Sequence, residues 1–181
     1  MADINEMYEK AVAGDTEAQF SLAVALENGE GVARDINQAI AWYLRVAEKG
    51  FASAQYNLGN CYQDDSLQAK DYAASAYWYG KAAEQGHLNA TYMLAMCYKN
   101  GEGVAEDHKK MKELLQFAAG KGHEPSIRML DKIKQIEKES YSEARRINSA
   151  NTGAGKKGCL GSVLLLLLFT TGLITILSFI S

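Results

Sequence analysis

Apolar residues recur at helical spacing over the first two thirds of the chain, in segments broken by glycine. Residues 3–13 place Ile4, Met7, Tyr8, Ala11 and Val12 at i, i+3, i+4, i+7 and i+8, which is one face of a helix. After Gly14, Asp15 or Thr16 can cap a helix with the stripe Ala18, Leu22, Ala25 and Leu26, and Asn28-Gly29 stops it. Asp35 can cap the next, with Ala39, Ile40, Trp42, Tyr43, Val46 and Ala47 on its buried side. Gly50 ends that helix in the left-handed conformation that helix C-termini favour. With one proline and 48% hydrophobic residues, the pattern predicts an ordered, all-α chain.

The segments are copies of one another. Gly14, Gly50, Gly86 and Gly122 are spaced 36 residues apart, Trp42-Tyr43 returns as Trp78-Tyr79, Asp35 as Asp71 and Asp107, and Ala18-Gln19 as Ala54-Gln55. A fixed period of this size predicts a solenoid of stacked helix pairs. Two departures stand out. The middle turn reads DDSLQAK in place of a glycine-containing turn, so Asp64 or Asp65 is expected to take the positive φ, and Leu114-Leu115 replaces the Trp-Tyr pair, keeping an apolar contact without the aromatic bulk. The expected order is a capping helix (1–13), repeats at 14–49, 50–85 and 86–121, a more polar capping helix (122–147), a Gly/Asn/Ser-rich linker (148–158) and an apolar anchor (159–181).

Charge sharpens the last boundary, because no Asp, Glu, Lys or Arg follows residue 158. Residues 160–180, carrying Leu160, Leu164, Leu168, Leu173, Ile176 and Ile180, would span about 30 Å as a helix, the thickness of a bilayer core. Arg145, Arg146, Lys156 and Lys157 before the span, with no basic residue after it, put the repeats on the cytoplasmic side, and the arrangement resembles a tail-anchored, single-pass protein. The opening MADINEMYEK lacks the apolar run of a secretory signal. Cys159 falls at the membrane boundary as a candidate for reversible lipidation or as a surface thiol without a role. Cys61 and Cys97 fill one slot of two repeats and read as small buried hydrophobes, with a disulfide between them as the alternative. A net charge of −3 leaves no footprint for nucleic acid.

The motif A-Q-x-x-L-G/A-x-x-Y/L, then G-x-G-V-x-x-D, then A-x-x-W-Y-x-x-A-A/E-x-x-G resembles the Sel-one-like repeat family, relatives of the tetratricopeptide repeats, over residues 14–122 with half-units at both ends. The resemblance implies antiparallel helix pairs coiled into a right-handed superhelix, first helices lining its concave side. It also implies groove-facing positions: Glu17, Phe20, Val24 and Glu27; Ser53, Tyr56, Asn60 and Gln63; Asn89, Tyr92, Met96 and Lys99. Phe20, Tyr56 and Tyr92 form an aromatic column there, which either contacts a peptide or packs between repeats. Asn57 and Asn60 are candidates to clamp a peptide backbone.

Catalytic and metal chemistry are not indicated. His87, His108 and His123 lack ligand spacing and read as residues near helix N-termini or turns. Some relatives have been described as acting on β-lactams, but no serine here has lysine three residues on. The expected function is a membrane-tethered adaptor whose groove takes a protein or peptide, with no enzyme activity, cofactor or small-molecule substrate. The alternative is a structural subunit of a membrane complex in which the membrane helix makes the specific contacts.

Overall fold

A computed structural model describes residues 4–67 and 70–153. Among them are eight helices and no strand: α1 (Ile4–Val12), α2 (Thr16–Asn28), α3 (Ile36–Ala47), α4 (Ala52–Cys61), α5 (Tyr72–Glu84), α6 (Leu88–Asn100), α7 (His108–Gly120) and α8 (Glu124–Gly153). The chain divides into two units after Ile127, within α8.

In the first unit each helix from α1 to α6 packs on the next, so three pairs stack behind the half-pair α1. The helix starts follow from their caps. Asp15, Asp35, Asp71 and Asp107 accept from the backbone N–H three residues on, at 2.8–3.0 Å, satisfying donors that a helix N-terminus leaves open. The helix ends follow from the glycine ladder: φ is 99°, 92°, 82° and 83° at Gly14, Gly50, Gly86 and Gly122, a region that side-chain-bearing residues avoid. The apolar stripes then close a core. One cluster joins Ala11, Leu22, Leu26, Ala39, Trp42, Tyr43, Val46, Leu58 and Cys61, and a smaller one joins Ala76, Tyr79, Ala82, Ala90 and Cys97.

The middle turn corrects an expectation. Among the described residues no non-glycine has positive φ. Instead α4 ends at Cys61, three residues short of the positions matching Asn28 and Asn100, and Asp64 accepts from the N–H of Ser66 at 2.8 Å. The bond that closes the other turns survives the change: Asp35 to the Leu26 carbonyl, Asp71 to Tyr62 and Asp107 to Tyr98 are each 2.9 Å. Asp64 also pairs with Arg34 of the preceding turn. Burial opposes its charge, but the bonds from Ser66 and Arg34 prevail and hold the carboxyl below its usual range.

The second unit contains the remainder of α8, whose exposed face carries Lys134–Asp131 and Arg146–Glu143 pairs at helical spacing. The helix continues to Gly153 and so takes in residues expected to begin the linker at 148. Among the described residues no helix is long and apolar enough to cross a membrane. Leu160, Leu164, Leu168, Leu173, Ile176, Ile180 and Cys159 lie outside them.

Candidate protein-binding site

The residues expected to face a groove lie on the first helices α2, α4 and α6, repeating every 36 positions, and Phe20, Val24, Glu27, Tyr56, Asn60, Gln63, Tyr92, Met96 and Lys99 are all half-buried. Each aromatic of the column has one face against the protein. Phe20 meets the buried Tyr43 edge-on at 5.7 Å, Tyr56 lies 6.0 Å from Tyr79 and stacks on His87 at 4.8 Å, and Tyr92 lies 5.7 Å from His123. Tyr56 and Tyr92 therefore tie the second and third repeats to the start of the following unit through His87 and His123, whereas Phe20 packs within its own repeat. Glu17, Ser53 and Asn89, one turn earlier, are exposed.

The polar positions beside the column satisfy buried phenols. Tyr43 and Tyr79 are fully buried, so each hydroxyl needs a partner. Tyr43 donates to Glu27 Oε2 at 2.7 Å and accepts from Asn57 Nδ2 at 3.1 Å, while Tyr79 donates to Asn60 Oδ1 at 2.7 Å. Burial, reinforced at Tyr43 by Glu27, pushes both phenols well above their usual range. Gln63 donates to Ser75 Oγ at 2.7 Å, and Ser75 in turn donates to the Gly59 carbonyl at 2.8 Å. Asn57 and Asn60 are thus each tied to a buried tyrosine through one amide atom.

A second set of ties had no signal beyond its periodicity. Gln19 and Gln55 are buried, and their Nε2 atoms reach the Ala11 and Ala47 carbonyls, each at 3.0 Å, near the end of the preceding helix. Lys49 and Gln85 donate back to their Oε1 atoms at 3.1 and 2.7 Å. Thr91, at the matching position of the third pair, bonds within its own helix to the His87 carbonyl at 3.1 Å.

The remaining candidates are structural. His87 Nδ1 accepts from the Ala90 N–H at 3.2 Å as the cap of α6, and His123 contacts Ser126 Oγ and Asn89 Oδ1, each at 2.9 Å. Burial lowers the His87 pKa below its usual range. Cys61 and Cys97 are free and buried. Burial first, then the charges of Glu27 and Asp64, raises the Cys61 pKa to about 12, and burial with Glu102 raises Cys97 to about 11, so both are poor nucleophiles. Among the described residues no group of three or more His, Cys, Asp and Glu side chains could hold a metal ion.

Comparison with known proteins agrees with this repeat geometry. The Sel1 repeat profile matches residues 16–51, 52–87 and 88–123, which together make up more than half of the chain. The chain belongs to the Sel1 repeat family. Sel1 repeat proteins are typically protein–protein interaction scaffolds, generally without enzymatic activity. A Sel1 repeat protein from Oxalobacter formigenes is 36% identical, with a TM-score of 0.61 over 73% of this chain and 99% of that one. A protective antigen present in uropathogenic Escherichia coli strains, which displays an SLR fold, is 32% identical with a TM-score of 0.62 over 67% of this chain. The match spans only 26% of that antigen's length. Helicobacter pylori cysteine rich protein B shares the fold at 16% identity, with a TM-score of 0.56 over 70% of this chain and 94% of that one. No curated protein gave a match.

Proposed function

We propose that this Sel1 repeat protein is an adaptor held at a membrane by residues 160–180, with its repeats in the cytoplasm and its first helices presenting a concave surface to a protein or peptide. The observation that carries the reading is the row of half-buried residues at one register of three successive first helices: Phe20, Tyr56 and Tyr92, flanked by Val24, Asn60 and Met96. Side chains fixed on one side and open on the other suit recognition, because little conformational freedom remains to be lost on binding. The uncharged run after residue 158 and the basic residues before it support the tether and its orientation.

The test uses the full chain in cells. A photocrosslinking amino acid at Ser53 or Glu17, on the exposed edge of the row, is expected to trap a discrete protein partner, whereas the same group at Lys121 traps none. Equal trapping at all three positions, or at none, removes the first-helix face from the proposal. Alkaline extraction addresses the tether separately: the chain is expected in the membrane pellet and a version lacking 160–180 in the supernatant, and release of both contradicts anchoring. If a tethered chain loses function when 160–180 is exchanged for an unrelated anchor, the membrane helix makes the specific contacts and the chain is a structural subunit.

A further inference from the structure

The second helices differ where they meet. Trp42 is buried and meets Tyr8 of α1 edge-on at 6.0 Å, and Trp78 packs against the first core cluster together with Ile40 and Leu44 of α3. The matching residue on α7 is Leu114, and on α5 the residues matching Ile40 and Leu44 are Ala76 and Gly80. Three cut-back side chains face one another across one junction. The result is an open groove of about 710 Å³, with Ala73, Ala76 and Gly80 on one wall, Leu114 and Phe117 on the other, and Leu94 among the residues between them. That volume lies within the range of ligand clefts, about 300–1,000 Å³. A Cβ built on Gly80 meets nothing within 4 Å. Tyr77 and Phe117, at the rim, are 56% and 49% exposed.

We propose that this groove between α5 and α7 docks a protein segment presenting a bulky aromatic side chain, tryptophan foremost, with a carboxylate beside it. Two observations choose the occupant. The chain itself seats an indole at the matching position of both preceding junctions, so the geometry of the repeat suits one here. Cations also sit on aromatic side chains of the lining: Lys81 Nζ is 5.8 Å from the Tyr77 ring centre and Lys110 Nζ is 5.1 Å from that of Tyr98. Glu84 sits beside Lys81 at 3.5 Å in an exposed pair that a competing carboxylate can displace at little energetic loss. This surface lies between the second helices with α6 at its floor and shares no residue with the first-helix row, so either can fail without the other.

The test is a fluorescence-anisotropy titration of the full chain in mild detergent with a labelled peptide, Asp-Asp-Ala-Trp-Leu-Asp-Asp. Binding with a Kd below about 1 mM is expected. It should weaken about tenfold or more when the peptide tryptophan becomes alanine, when the groove is filled by Gly80→Leu with Leu114→Trp, and when the rim is stripped by Tyr77→Ser with Phe117→Ser. A peptide with lysine in place of aspartate should also bind more weakly. The rim pair is exposed, so it reports on binding even if the filled variant folds poorly. No binding, or binding indifferent to the peptide tryptophan or to the rim pair, overturns the proposal. Self-association of the wild type that the filled variant abolishes assigns the groove to a second copy and overturns it as well.

Discussion

The junction between the first and second helix pairs and the junction between the second and third are built on the same register but closed differently. At the first, Trp78, Ile40, Leu44 and Leu67 all pack against the larger core cluster. At the second, Leu114, Ala76 and Gly80 leave a groove, and contact is made instead by backbone: a Cβ on Gly103 would stand 1.9 Å from the Tyr72 carbonyl oxygen at the head of α5. Leu67 occupies the position of Gly103 in the earlier turn. One junction is filled by side chains and the other is held by a close backbone approach at Gly103, so a repeat array can keep its spacing while leaving one seam open for a partner.

The largest loss at the two seams is expected from Gly103→Ala. The new methyl must displace backbone while φ is held at 73°, and a loss of about 3 kcal/mol is expected. Gly31→Ala has a similar φ of 74° and open space, so only the conformational penalty of about 1–2 kcal/mol remains. Urea unfolding of the two variants checks the ranking, and equal losses would mean that the approach at Gly103 is not tight. Next, Trp78→Ala should destabilise by about 2–3 kcal/mol, below the range for a fully buried tryptophan because Trp78 is half-buried, while Leu114→Ala at the groove should lose about 1 kcal/mol.

The smallest effect depends on pH. His87 caps α6 through an unprotonated Nδ1 and stacks on Tyr56 across the open junction, whereas Phe51, its counterpart at the sealed one, makes no side-chain cap bond. Because burial lowers the folded pKa, the unfolded chain takes up the proton first as pH falls. The cap's contribution is therefore complete above about pH 6.5, declines from there through the folded pKa, and is flat below it. About 1 kcal/mol is at stake, the usual worth of a cap. Unfolding midpoints across this window should show the decline in the wild type and a smaller one in His87→Asn, which caps without titrating there.

Much of this was legible in the residues. The glycine ladder, the aspartate caps and the 36-residue register were readable because each rests on a local preference of a few neighbouring residues. The middle turn does take a different backbone path, but not through a positive φ at Asp64 or Asp65: α4 ends early, and Asp64 accepts from the N–H of Ser66 instead. Asn60 and Glu27 were read as groove residues, but their bonds to Tyr79 and Tyr43 join positions 19 and 16 residues apart that no local pattern links. The loss of aromatic bulk at Leu114 was visible. Its consequence was not, because the groove also needs Ala76 and Gly80 on a different helix, and only packing brings the three together.

If the open seam is the sealed one with its filling removed, putting the filling back should stabilise the fold. Ala76→Ile, Gly80→Leu and Leu114→Trp together should raise the unfolding free energy of the full chain by about 1–3 kcal/mol beyond Gly80→Ala alone, which accounts for the helix-propensity gain. A gain no larger than that of Gly80→Ala, or a loss, would show that the groove does not accept the indole and that the two seams differ in more than their filling.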